Sequence, residues 1–179
     1  MILSVSDKPP EWAAYLFNKG EEFIKTAEAS PELTYNLFGT LYLSKTGFLL
    51  LTVPNPFVRG LFSAMNEPGI ELPPSPNGQL EAHITVMTPN DVALAGGPDA
   101  ISERGKQFKY TLGRIYTVEP DGWEDIAKVW YVRVHSQDLQ TLRRSYGLTS
   151  MPHGDRDFHI TIAVRRKRVL GRNTTSKST

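Results

Sequence analysis

The chain has 179 residues, of which 40% are apolar and 22% charged, and its formal net charge is +1. This arithmetic is typical of one globular domain and excludes a disordered or fibrous protein. The absence of cysteine excludes disulfides and zinc–thiolate sites. The first residues lack the basic and apolar segments of a secretory signal, and the longest apolar run, residues 48–53, is too short to cross a membrane. We therefore expect a cytoplasmic protein with no membrane partner.

The first half of the chain predicts helix, hairpin, helix and loop. Apolar residues recur at helical spacing after the Pro9–Pro10 pair, and Gly47 divides two runs rich in Leu, Phe and Tyr. Prolines then break periodic structure. The predicted elements are a helix over 7–30, strands over 34–43 and 48–53, a short helix over 57–65, and a loop over 68–78.

The second half predicts strands separated by turns, with one amphipathic helix. Ser136 can cap that helix and Gly147 can end it. The predicted elements are strands over 80–87, 108–118, 129–135 and 157–164, and a helix over 136–146. Mixed hairpins and helices indicate an α+β domain with a largely antiparallel sheet. No linker divides residues 1–168, and the basic residues 169–179 are expected to form a flexible tail.

Two segments of the predicted strands share one polarity pattern. Residues 81–86 read E-A-H-I-T-V, and residues 157–162 read D-F-H-I-T-I. Because side chains alternate along a strand, His83 and Thr85 share one face, and His159 and Thr161 share the equivalent face of the second strand. Each strand therefore presents an imidazole beside a hydroxyl.

Two such strands brought together have the groups that phosphodiester cleavage requires. A neutral imidazole accepts a proton and an imidazolium donates one, so His83 and His159 can act as general base and general acid near pH 7. The hydroxyls of Thr85 and Thr161 can donate to phosphate oxygens as charge develops. No metal, cofactor or covalent enzyme intermediate is required. The near symmetry of the segments leaves open which histidine is the base. A single strand histidine is usually structural, but two copies of a six-residue pattern favour catalysis.

The paired H-x-T segments resemble the 2H phosphoesterase superfamily, which includes LigT-like 2',3'-cyclic phosphodiesterases, RNA-trimming enzymes and phage anti-CBASS enzymes that open cyclic oligonucleotide signals. The resemblance implies a two-lobed α+β fold in which one motif strand from each half faces a central groove and helices lie outside. It also implies catalytic His83 and His159, with Thr85 and Thr161 binding phosphate.

Other residues are candidates for substrate binding. Trp123, in a loop, is a candidate base-stacking residue or a core residue, and Tyr110 and Arg114 either reach the substrate or line a solvated face. Arg156 lies close to the second motif in sequence. His153, with Asp155, Asp157 and His159, suggests a metal site, but the spacing matches no known signature, so we expect none.

The sequence therefore predicts a phosphodiesterase that cleaves a cyclic nucleotide or cyclic oligonucleotide, with the disabling of a nucleotide-signalled antiviral defence as one role. Six of the twenty basic residues and no acidic residue lie in residues 165–179, so residues 1–164 carry a net charge of −5. This acidic body favours a small substrate over RNA. Two alternatives remain open, namely a 2',3'-cyclic phosphodiesterase that processes RNA ends and a non-catalytic module that binds nucleotide or RNA.

Overall fold

A computed structural model describes residues 33–74, 81–152 and 156–167. The predicted N-terminal helix and the basic tail lie outside these ranges. Within them the chain forms six strands, three α-helices and a short 3₁₀ turn. In chain order these are β1 (Leu33–Leu43), β2 (Leu49–Thr52), α1 (Asn55–Met65), β3 (His83–Met87), α2 (Pro89–Leu94), the 3₁₀ turn (Pro98–Ala100), β4 (Gln107–Val118), β5 (Ile126–His135), α3 (Gln137–Ser145) and β6 (Phe158–Arg166).

Local signals in the sequence explain where these elements begin and end. Gly47 has a φ of 84°, which glycine adopts without strain, and its N–H donates to the carbonyl of Ser44 to close the β1–β2 turn. The Ser136 hydroxyl accepts a hydrogen bond from the Leu139 N–H at the start of α3, and Gly147 follows its end with a φ of 73°. The predicted hairpin and capped helix are confirmed.

The strands form one antiparallel sheet in the order β3-β2-β1-β4-β5-β6. Strands β3 and β6 are the two ends of this order, yet Cα atoms of β3 come within 8 Å of Cα atoms of β6. The sheet must therefore curve until its ends meet. The predicted antiparallel α+β fold is confirmed, and the curvature brings the two motif strands together.

One hydrophobic core joins the helices to one face of the sheet. The apolar residues that alternate with the motif side chains, among them Ile84, Val86, Phe158, Ile160 and Ile162, are fully buried there. Helix α1 packs against β6, and α3 packs against β3 and β4. The motif residues therefore project from the opposite face. No helix in the described part of the chain is long and apolar enough to cross a membrane.

Arg143 in α3 is a buried cation that ties this helix to the first motif strand. Its side chain is 1% exposed. Nη1 donates to the Val86 carbonyl at 2.6 Å and to Asp91 Oδ2 at 3.0 Å, while Nε donates to the Thr149 carbonyl at 2.8 Å. Burial alone would raise the pKa of Asp91, but hydrogen bonds from Arg143 and Thr88 outweigh burial and lower it. The buried Arg143 guanidinium therefore holds helix α3 against β3, the strand that carries His83.

Gly39 allows β1 to approach β2 closely. A Cβ atom at this position would lie 2.3 Å from the Thr52 carbonyl oxygen, so any larger residue must displace the backbone of β2. We expect Gly39→Ala to lower the free energy of unfolding by about 1–3 kcal/mol, as overpacking does. Urea denaturation measures the change. Phe38→Ala, at an adjacent side chain that is 58% exposed, is the control, and equal stability of the two variants would contradict the prediction.

Candidate active site

Both motif histidines lie on the face of the sheet opposite the helices. Antiparallel partners that lie directly opposite each other project to the same side of a sheet. Within one strand, residues two or four positions apart also project to the same side. These two rules connect the motifs through five pairs on one face: His83 with Thr52, Leu50 with Tyr42, Phe38 with Lys109, Thr111 with His135, and Arg133 with His159. Because β3 also contacts β6, this face presents both imidazoles on neighbouring strands.

The two histidine rings are held in the same way. Nδ1 of His83 lies 2.7 Å from the carbonyl oxygen of Glu81, and Nδ1 of His159 lies 3.1 Å from the carbonyl oxygen of Asp157. A carbonyl oxygen only accepts, so Nδ1 carries the proton in each ring. In the neutral form of each ring, Nε2 is then the nitrogen with the lone pair. The two rings are therefore prepared for the same proton-transfer chemistry.

Thr85 and Thr161 accompany the histidines on this face. Both side chains are partly exposed, and each is two residues beyond its histidine. Thr85 is the partner of Leu50, and Thr161 is the partner of Tyr131. The structure thus places each predicted hydroxyl beside its predicted imidazole.

An aromatic and cationic surface borders the second motif. The ring of Tyr131 meets the ring of His159 edge-on at 5.3 Å between centroids, and Tyr116 stacks on Tyr131 at 5.9 Å. The guanidinium of Arg133 lies 5.4 Å from the centre of the Tyr116 ring and forms an ion pair with Asp157. We call Tyr116, Tyr131 and Arg133 the aromatic platform. It extends the site from His159 across β5 to β4.

A cavity of about 490 Å³ borders the first motif. It is lined by the β1–β2 hairpin, by Pro74 and by the start of β3, through Tyr42, Leu43, Ser44, Lys45, Thr46, Phe48, Leu50, Pro74, Glu81, His83 and Thr85. Burial, followed by the negative charge of Glu81, raises the pKa of Tyr42. The Tyr42 phenol is therefore protonated at neutral pH. We call this space the hairpin cavity.

The other predicted substrate-binding residues belong neither to the aromatic platform nor to the hairpin cavity. Tyr110 does not face the substrate side, because it is 1% exposed in the core, where burial raises its pKa. This corrects its predicted position. Trp123 is 52% exposed, but the nearby β5 residue Ile126 is opposite Arg166, which is seven residues beyond His159, roughly 23 Å along the strand. Arg156 is exposed just before β6.

The described residues contain no cluster of three or more groups that could hold a metal ion. His153 and Asp155 of the suggested metal site lie outside them. Sequence reasoning missed Tyr131 and Arg133, although one signal pointed to them. Trp130, Val132 and Val134 form an apolar alternation that predicts one buried face, so the residues between them face the other side.

Residues 50–170 match the family model described as Swiss Army Knife, 2H phosphoesterase domain. The matched region includes both motif strands, the aromatic platform and part of the hairpin cavity. No curated protein and no solved structure matches the chain.

Proposed function

The chain belongs to the 2H phosphoesterase family and is a hydrolase of the phosphodiesterase type, and we propose that it cleaves a cyclic nucleotide or cyclic oligonucleotide without a metal ion. His83 and His159 are the general acid and base of this proposal, and Thr85 and Thr161 bind the phosphate. In a biological setting such an enzyme would remove a cyclic nucleotide signal, including one that triggers antiviral defence.

The observation that supports this proposal is the matched anchoring of the two rings. Each Nδ1 meets the carbonyl oxygen two residues before it, on strands that contact each other. A base and an acid that exchange roles in the reverse reaction need comparable orientation, since each must accept a proton in one direction and donate it in the other. Equivalent main-chain anchors supply that orientation on both sides of a phosphate.

The proposed reaction is an in-line displacement at phosphorus. One neutral histidine takes the proton of a ribose 2'-OH at Nε2 as the 2' oxygen bonds to the adjacent phosphorus. The bond from phosphorus to the 5' oxygen breaks, and the other, protonated histidine gives its proton to that oxygen. The products are a 2',3'-cyclic phosphate and a 5'-OH. With water as nucleophile, the same pair opens a cyclic phosphate.

The threonine hydroxyls act on the charge that develops during this displacement. Non-bridging phosphate oxygens gain negative charge in the transition state, and donors already in position stabilise it without reorganisation. Thr85 and Thr161 approach from the two motif strands, so that one phosphate between the histidines can meet both.

The experiment that tests the proposal uses purified protein in excess EDTA with a panel of substrates. The panel contains 2',3'-cyclic nucleotides, cyclic dinucleotides and trinucleotides, and short RNAs, with products identified by mass. The His83→Ala/His159→Ala double variant is the control. Turnover of a cyclic substrate that survives EDTA and is absent from the control is expected. Loss of turnover in EDTA with recovery on adding a divalent metal would overturn the proposal, and turnover of RNA ends alone would assign the alternative function.

A further inference from the structure

The two sides of the site differ, although the two motifs match. The hairpin cavity, beside His83, is a concave space whose lining is mainly apolar, with Tyr42 and Phe48 among its walls. Cavities of a few hundred Å³ with a few polar groups are typical of small-molecule sites. A volume of about 490 Å³ can take a nucleobase with its ribose.

Polar groups of the hairpin cavity suit the edge of a base. The protonated Tyr42 phenol can donate a hydrogen bond, and the Glu81 carboxylate lies near enough to influence its ionisation. Nucleobase edges carry donors and acceptors together, so a neighbouring donor and acceptor match them. Thr85 and His83 line the same cavity, so a base bound there would lie beside the phosphate that these two side chains bind in the proposed function.

The aromatic platform, beside His159, is open instead. Tyr116 is 38% exposed, its ring stacks with that of Tyr131, and the Arg133 guanidinium lies 5.4 Å from its centre. Tyrosine rings and arginine guanidinium planes are surfaces on which unpaired bases stack. The platform is built from β4 and β5, whereas the hairpin cavity is built from β1, β2 and β3. A phosphate between the motif strands therefore has a distinct base-binding environment on either side.

We infer that the substrate is a linkage between two nucleosides, with one base in the hairpin cavity and the other stacked on the aromatic platform. This inference rests on the proposed function and narrows it, because an isolated 2',3'-cyclic mononucleotide fills one side only. An oligonucleotide ring or chain with a free 2'-OH next to the scissile phosphate fills both. The phosphorus–oxygen bond that breaks is the one to the 5' oxygen of the second nucleoside.

The test is a comparison of substrates and variants by kcat/KM. The substrates are a 3'–5' ribodinucleoside monophosphate, its two analogues that lack either the first or the second base, and a 2',3'-cyclic mononucleotide. The proteins are wild type, Tyr116→Ala and Trp123→Ala, the latter changing another exposed aromatic residue. Because the abasic analogues probe each side without altering the protein, their result does not depend on whether a variant folds.

We expect loss of either base to lower kcat/KM roughly 10- to 100-fold. Tyr116→Ala should cause a similar loss on the complete dinucleotide and no further loss on the one analogue that lacks the base stacked there. Full activity on both abasic analogues would overturn the inference while leaving the proposed function intact. A larger loss from Trp123→Ala than from Tyr116→Ala would overturn the assigned platform. Absence of turnover for all four substrates and for the cyclic dinucleotides and trinucleotides of the panel would instead mark failure of the proposed function.

Discussion

Replacing either motif histidine with alanine is expected to lower kcat by roughly 10²- to 10⁴-fold, the contribution of a positioned general acid or base. The double variant should lose little more than the worse single variant, because the two groups act in one transition state. Steady-state kinetics on the substrate identified in the panel measures the loss. Since both side chains are partly exposed, thermal unfolding of the single variants should stay close to wild type.

His135→Ala is the matched control, because His135 lies on the same face of the sheet in strand β5. A second substrate then separates the two roles. A nucleoside 3'-phosphate ester of 4-nitrophenol releases 4-nitrophenolate, which departs without protonation. The variant that lacks the acid should therefore keep most of its activity on this substrate. The variant that lacks the base should remain slow on both substrates. Wild-type turnover by both single variants would contradict the assignment of His83 and His159.

Arg143→Met is expected to cost about 3–5 kcal/mol of unfolding free energy, since it leaves buried partners of a charged group unpaired. The Val86 and Thr149 carbonyls lose their donor, and Asp91 loses its ion pair. The unfolding temperature should fall by roughly 6–20 °C for a chain of this size. Arg144→Met, one residue along the same helix but exposed, should change stability by no more than about 0.5 kcal/mol. Equal effects of the two substitutions would refute the role of the buried contact.

The loss of stability caused by Arg143→Met has a predicted pH dependence. Folding lowers the pKa of Asp91, so the ionised carboxylate contributes fully to the free energy of unfolding above the pKa that it has in the unfolded chain. This contribution is lost as the pH falls through the lower, folded-state pKa. The stability difference between wild type and Arg143→Met should therefore narrow under acid conditions. Urea denaturation across a pH series measures this difference, and a gap that widens toward low pH would contradict the assignment.

The sequence was sufficient for the features that depend on a few neighbouring residues. Alternation within each motif fixed which side chains share a face, and Ser136 and Gly147 marked the ends of a helix. Local alternation does not place His83 on the same side of the sheet as His159. That placement depends on pairing across all six strands and on the curvature that brings the ends of the sheet together.

Strand β4 shows why the substrate-binding residues were harder to predict. Simple alternation gives Tyr110 the same face as Arg114 and Tyr116. The register shifts between Leu112 and Ile115, and this irregularity moves Tyr116 to the motif face while Tyr110 stays in the core. A local pattern does not reveal such a shift, because it is set by the neighbouring strand. For the same reason, Tyr131 and Arg133 are recognised as site residues only through their pairing with Thr161 and His159 on the neighbouring strand.

The hydrogen bonds from the two histidine rings to carbonyl oxygens make the ring orientation robust to point mutation. Each acceptor belongs to the main chain of residue 81 or 157, so a substitution of Glu81 or Asp157 changes the side chain and keeps the acceptor. The three residues from acceptor to imidazole form a self-contained unit that needs no distant partner to select its tautomer. Those two acidic positions can therefore vary with the substrate, one beside the hairpin cavity and the other against Arg133, without disturbing proton transfer.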